Sequence, residues 1–189
     1  RDLIAAGELG AVTLVLTSWY QGYLQREPPK VDVDVKELDW ESWLGNAPKR
    51  PFDPLLIIRW RWFWDFGGGH LTDLFSHWCD TVHWFFGVRR PQRAQAMGGN
   101  YLAQYVECPD TINACWEYDG AWALVYNGAM NGRLEGGNII IRGERALMRV
   151  NRQGFAVYPE GVVRAEDTRL PEPVLEAKST EDGMVAHVR

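Results

Sequence analysis

The stretch GGGHLTDLFSHWCDTVHWFFG, residues 67–87, decides how the rest of the chain is read. Three glycines run into a segment whose apolar positions, Leu71, Leu74, Phe75, Trp78, Val82, Phe85 and Phe86, recur with the period of one helix face. Gly87 supplies the stop, so a helix is predicted from about residue 69 to Gly87. On a uniform α-helix, positions i, i+3, i+7 and i+10 share a side. That spacing puts His70, Asp73, His77 and Asp80 on one polar stripe facing away from the core, with Trp84 continuing it. Three readings of the stripe are open. A solvated face would use Asp73 to complement the helix dipole. A metal site is possible in principle, because His and Asp at helical spacing can ligate zinc. The glycine turn offers no ligand, however, and no second His or Cys cluster occurs elsewhere, so no metal is expected. In an acid–base site, the aspartate one turn before a histidine would fix its tautomer while the imidazole exchanges a proton with a substrate hydroxyl. Gly67, Gly68 and Gly69 would let a flat ligand approach the backbone and leave helix N–H groups open to it.

Outward from the helix, residues 2–9 show helical spacing that stops at Gly7 to Gly10, and AVTLVLTSWY (11–20) is β-branched and apolar, a buried strand. Residues 21–36, with Pro28-Pro29 and VDVDV, read as an irregular loop or exposed edge. LDWESWLG (38–45) reads as one or two helical turns ended by Gly45, and APKRPFDP as proline-broken loop. Arg59 and Arg61 alternate with Trp60, Trp62 and Trp64, so some of these face a core and others a cleft or sheet edge. Beyond Pro91 come short strand-rich runs: RAQAMGGNYLAQYV, TINACWEYDG, AWALVYNGAM, NIIIRGE, RALMRV, FAVYPEG and VVRAE. Their close glycine and asparagine turns favour antiparallel hairpins over crossovers. The predicted class is α+β, a mostly antiparallel open-faced sheet with helices packed on one face.

Composition removes several function classes. Basic residues are scattered and net charge is −5, which gives no footprint for nucleic acid. No apolar run approaches the roughly 20 residues of a membrane span. Cys79, Cys108 and Cys115 are odd in number and lack CxxC spacing, so they read as reduced thiols of a reducing, cytoplasmic compartment. Of the 10 tryptophans, eight (Trp19, Trp40, Trp43, Trp60, Trp62, Trp64, Trp78 and Trp84) lie in the first half, which suggests a thick core or a pocket wall there. Arg1 opens what reads as the last turns of a helix, and EDGMVAHVR carries no terminating signal. One domain, residues 1–189, truncated at both ends, is therefore expected.

RWRWFWDFGGGHLTDLFSHWCDTVHWFFG resembles the C-terminal domain of the glucose–fructose oxidoreductase/inositol dehydrogenase/MocA (Gfo/Idh/MocA) family. The matching residues are Trp60-Arg61, Gly67 to Gly69, and the Asp-x-x-x-His-x-x-Asp run of Asp73, His77 and Asp80. LIAAGELGAV, LDWESWLGNAP (as in a tryptophan-rich subgroup) and EDGMVAHVR extend the likeness over nearly the whole chain. The resemblance implies a dihydrodipicolinate-reductase-like C-terminal fold whose Rossmann partner binds NAD or NADP. No Gly-x-Gly-x-x-Gly and no Glu-Lys-Pro, the motif of the family's catalytic lysine, occurs in these residues. By the same resemblance His77 would be the acid/base, Asp73 its partner or a substrate contact, Arg61 and Trp60 pocket lining, and Asp80 mainly a helix residue; from its place on the stripe Asp80 is also a candidate substrate contact, and Gly67, Gly68 and Gly69 are candidate cofactor contacts. His70 matches no catalytic position and would line the pocket at best. Phe75, where many members carry glycine, would reshape that pocket. The implied reaction is oxidation of a sugar, polyol or sugar-derivative hydroxyl, with the isolated fragment inactive. The alternatives are an NAD-dependent glycosidase-type reaction, or a non-catalytic module that oligomerises through the exposed sheet face. Asn127, Asn131 and Arg133 could also reach a sugar-like ligand.

Overall fold

The computed structural model describes residues 1–161 and 171–179 of the chain. The apolar, β-branched run becomes strand β1, Val12–Tyr20, and the sheet is assembled around it. After Pro91 follow β2 (Arg93–Gly99), β3 (Thr111–Tyr118), β4 (Trp122–Ala129), β5 (Gly137–Gly143), β6 (Ala146–Asn151), β7 (Gly154–Pro159) and β8 (Leu175–Lys178). They form one 8-stranded sheet in the order β2-β3-β4-β1-β5-β6-β7-β8. Every pairing is antiparallel except β1 with β4, where Val15 lies opposite Leu124. The predicted α+β class and the open, mostly antiparallel sheet are both present. The strand expected in VVRAE and the helix lead-in EDGMVAHVR lie outside the described residues.

Alternation along the strands sorts the two faces. Val15, Ile112, Leu124, Tyr126, Ile139 and Ile141 are buried under helix α4, Ser76–Phe86, against its Trp78 and Val82. Thr17 shares that face and satisfies its hydroxyl by donating to the Val125 carbonyl at 2.9 Å. The opposite face is open, and Leu14, Leu16, Val125 and Ile140 there are only half-buried.

Three short helices precede α4: α1 (Asp2–Ala5), α2 (Trp40–Leu44) and α3 (Pro54–Arg59). Helix α2 begins at Asp39, whose carboxylate accepts from the Ser42 amide, and stops at Gly45, as its sequence indicates. The loop reading of APKRPFDP holds up to Asp53, and helix α3, which the sequence reading did not assign, begins at its last residue, Pro54. Asp53 caps it by accepting from the Leu55 amide, and Pro54 sits at its first turn, where no N–H is needed. Trp60–Trp62 continue it as a 3₁₀ turn rather than an alternating strand. Trp62 is buried at 2% exposure, whereas Trp60 and Trp64 are exposed.

Trp62 belongs to a second apolar cluster, with Leu24, Leu56, Phe63, Leu74, Ala103, Val106, Cys108 and Met130. Leu24 follows β1, Met130 follows β4 and Cys108 precedes β3, so this cluster caps one end of the sheet. The site lies where that cap meets the helix layer.

Candidate active site

Residues 67–75 join the two clusters. His70–Phe75 form a π-helical turn that runs directly into α4. A π turn holds an extra residue per turn and commonly marks functional sites. It takes His70 off the surface stripe on which uniform α spacing would put it. Leu74 enters the end cluster and Phe75 the sheet core, where Phe75 stacks on Trp116 at 4.3 Å. Phe75 is therefore core, and the pocket-shaping role expected of it does not follow.

The predicted polar stripe is broken for the same reason. His70 is buried at 1% exposure, with Nδ1 2.9 Å from the Tyr126 hydroxyl and Nε2 3.0 Å from the Asp110 carbonyl. A carbonyl only accepts, so Nε2 carries the proton and Nδ1 accepts from Tyr126. His70 is thus a core residue and does not line a pocket. Asp80 lies on the exposed side of α4, past His77 and away from the cleft described below.

Asp73 and His77 keep their places at the surface. Asp73 lines a cleft of about 210 Å³ with Gln21, Tyr23, Arg61, Trp62, Leu74 and Met130. Gln21 and Met130 directly follow β1 and β4, so the cleft opens beyond the carboxyl ends of the parallel pair. Arg61 Nε donates to the Asp73 carboxylate at 3.0 Å, and its guanidinium carbon lies 4.2 Å from the Trp60 ring centre. Trp60 therefore supports Arg61 instead of lining the cleft. One turn on, His77 is exposed and lies on the Trp19 indole, ring centres 5.9 Å apart. Trp19 donates to the Gln21 side chain at 3.2 Å, which links the His77 platform to the cleft wall.

Residues 49–149 match the family model described as the GFO/IDH/MocA C-terminal domain. The chain belongs to this family. No curated protein sequence matches it. Among solved structures, a levoglucosan dehydrogenase in complex with NADH and levoglucosan aligns with TM-score 0.61 at 13% identity, over 94% of this chain and 42% of that one. The WlbA dehydrogenase from Bordetella pertussis, in complex with NADH and UDP-GlcNAcA, aligns with TM-score 0.52 at 22% identity, over 79% and 37%. An NAD binding oxidoreductase from Klebsiella pneumoniae gives 0.57 at 18%, over 90% and 42%. At these identities the likeness is one of fold, and the chain spans about two fifths of their length.

The glycines of this GFO/IDH/MocA domain have a reason other than cofactor approach. A Cβ at Gly67 would stand 2.7 Å from the Arg61 carbonyl oxygen, and one at Gly68 2.7 Å from the Thr72 side chain. Gly69 has φ +58, and its Cβ would meet Cys108 at 2.8 Å. The close approach they allow is that of the chain itself, which docks the π turn against Arg61 and Trp62. The residues missed from sequence are Trp19, Gln21, Tyr23 and Met130. Only Trp19 carried a signal, since strand parity puts it on the same face as Val15 and Thr17.

Two buried groups beside the site titrate away from their ordinary values. Burial would raise the Asp110 carboxyl, but the amides of Ala103 and Leu102 and the Thr111 hydroxyl donate to it and hold it low. Burial lowers His70 from 6.5 to about 4. Folded His70 therefore binds fewer protons than the unfolded chain between these values. Its contribution is complete above pH 6.5 and is lost as pH falls toward 4, at a cost of about 3 kcal/mol. Urea melts at pH 7 and pH 4.5 should show this loss in the wild type and much less of it in His70→Gln. Equal pH slopes in the two proteins would remove the assignment.

Among the described residues no helix is long and apolar enough to cross a membrane. Cys79, Cys108 and Cys115 are free thiols.

Proposed function

We propose that this chain is the substrate-binding part of an NAD(P)-dependent oxidoreductase acting on a sugar, polyol or sugar-derivative hydroxyl. The observation that carries this reading is that Asp73, its carboxylate fixed by Arg61, lines a cleft, while His77 one helical turn on stands exposed beside Trp19. His77, exposed and resting against the Trp19 ring, exchanges the hydroxyl proton with the substrate. Asp73 presents a carboxylate oriented by Arg61, either to the imidazole or to a substrate hydroxyl. The nicotinamide, when bound, accepts or returns the hydride. Neighbours of this fold are NADH complexes that also hold levoglucosan or UDP-GlcNAcA, which supports both the cofactor class and a sugar-like substrate. The described residues of the cleft supply no phosphate-binding loop, so the nucleotide is held mainly by a partner domain, and cytoplasm is the compartment in which such a pair would work.

The open sheet face is the second element of the proposal. Its half-buried Leu14, Leu16, Val125 and Ile140 lie across β5, β1 and β4 as an apolar band that a second copy of the chain would cover. One set of samples tests both points. The 189-residue chain alone should give no NAD(P)H from sugars, should turn over when joined to a family nucleotide-binding domain, and should scatter light as more than one chain. Turnover by the isolated chain, or a monomer at all concentrations, would each remove one part. Release of a glycone without net NAD(P)H would favour glycoside cleavage instead.

A further inference from the structure

Beyond Trp19 and Gln21 lies a second, larger cleft of about 440 Å³, and Arg133, Glu135, Asn151 and Arg152 line it together with those two residues. Its charge runs against that of the chain. Net charge is −5, yet this cleft gathers two guanidinium groups against one carboxylate. Among the described residues neither Arg133 nor Arg152 has an ion-pair partner. Both are carried on constrained backbone. Arg152 sits in the tight β6–β7 turn, where Asn151 Oδ1 accepts from the Gln153 amide at 2.8 Å. Arg133 opens a turn closed by the Gly136 amide donating to its carbonyl at 3.2 Å. Within that turn Glu135 holds φ 65, a conformation uncommon for a residue other than glycine and kept where the surroundings demand it. Asn138 satisfies the Glu135 carbonyl by donating to it at 2.7 Å.

Trp19 connects this cleft to the proposed chemistry. The Arg152 guanidinium carbon lies 5.0 Å from the Trp19 ring centre, and the His77 ring lies on the same indole at 5.9 Å. Trp78 packs on Trp19 and donates its own N–H to the Ser18 carbonyl at 2.9 Å, so the platform is braced from the core. Arg152 and His77 are thus both held against one indole.

We infer that this cleft takes an anionic substituent of the substrate, a carboxylate or a phosphate, on Arg133 and Arg152, with the sugar ring set over Trp19 toward His77. The inference rests on the oxidoreductase reading above and narrows it to charged sugar derivatives. Guanidinium groups suit both anions because their fork of N–H donors matches a pair of oxygens. Glu135, which also lines the cleft, can accept a hydrogen bond from a sugar hydroxyl.

The test is a titration of the 189-residue chain with sodium glucuronate, glucose 6-phosphate and glucose at constant ionic strength. The Trp19 indole N–H resonance, assigned with Trp19→Phe, reports binding. At least one charged sugar should bind roughly tenfold more tightly than glucose. Arg133→Gln and Arg152→Gln should each erase most of that advantage without moving the melting midpoint, since both side chains are exposed. Preference for glucuronate alone assigns a carboxylate; preference for glucose 6-phosphate alone assigns a phosphate. Equal affinity for all three sugars, or a preference that survives both substitutions together, overturns the anion site while leaving the sugar oxidoreductase reading intact. Failure of all three to bind also overturns it, and the turnover assay then decides the wider reading on its own.

Discussion

His77→Ala is expected to lower kcat by roughly 10²–10⁴ in the enzyme that joins this chain to its nucleotide-binding part, with a much smaller change in KM. The imidazole is exposed and rests on Trp19 without a hydrogen bond to the described protein, so its removal leaves no buried group unpaired. Melting should therefore stay within about 0.5 kcal/mol of the wild type. Loss of rate with intact stability separates proton transfer from packing. Imidazole added in solution should restore part of the rate, because the missing function is a proton carrier over an open platform. Asp73→Asn should fall in the same direction by less, since Arg61 still orients an amide oxygen at the same place. An alanine variant with unchanged turnover would end the acid–base assignment and leave the chain a binding scaffold.

A large stability effect is expected at Gly128 in β4. A Cβ there would stand 2.4 Å from His70 Nδ1 and 2.9 Å from the Tyr126 hydroxyl, both buried and hydrogen-bonded to one another. Neither can yield: His70 is pinned from its far side by the Asp110 carbonyl, and Tyr126 packs against Phe75. Gly128→Ala should cost about 3 kcal/mol through overpacking and a broken buried hydrogen bond, a fall of roughly 6–12 °C in Tm. Gly22→Ala, where a Cβ meets nothing within 4 Å, serves as the comparison and should change little. His70→Ala opens the same space, so adding Gly128→Ala to it should cost far less than in the wild type, a coupling above about 1 kcal/mol. A Gly128→Ala protein that melts within about 2 °C of wild type would mean that His70 does not occupy this niche.

These two predictions divide along what could be read in advance. The surface positions of His77 and Asp73 were legible because helical spacing places both outward, while their proposed roles came from the resemblance of the glycine-led motif. His70 was not. Its spacing from Asp73 fits the same stripe, but stripe arithmetic assumes one uniform helix, and nothing local in HLTDLF announces a π turn. That turn follows from Leu74 and Phe75 having to fill two separate clusters at once. Gly67, Gly68 and Gly69 were recognisable as places where something comes close, but not that the something is Arg61, Thr72 and Cys108. Helix α3 was missed although its signals, Asp53 followed by Pro54, stood in the sequence; the neighbouring prolines outweighed them.

By itself, then, the sequence determined the sheet-forming runs, their hairpin neighbours and the helix from the glycine turn to Gly87, and it named candidates for proton transfer, since alternation, periodicity and turn chemistry are properties of adjacent residues. Only the tertiary structure decided that β1 runs parallel to β4 at the centre of the sheet, that Trp19 carries both His77 and Arg152, and that Arg61 clamps Asp73. These contacts join segments far apart in the chain, and their partners are selected by competition for buried area across the whole fold, which no local pattern encodes.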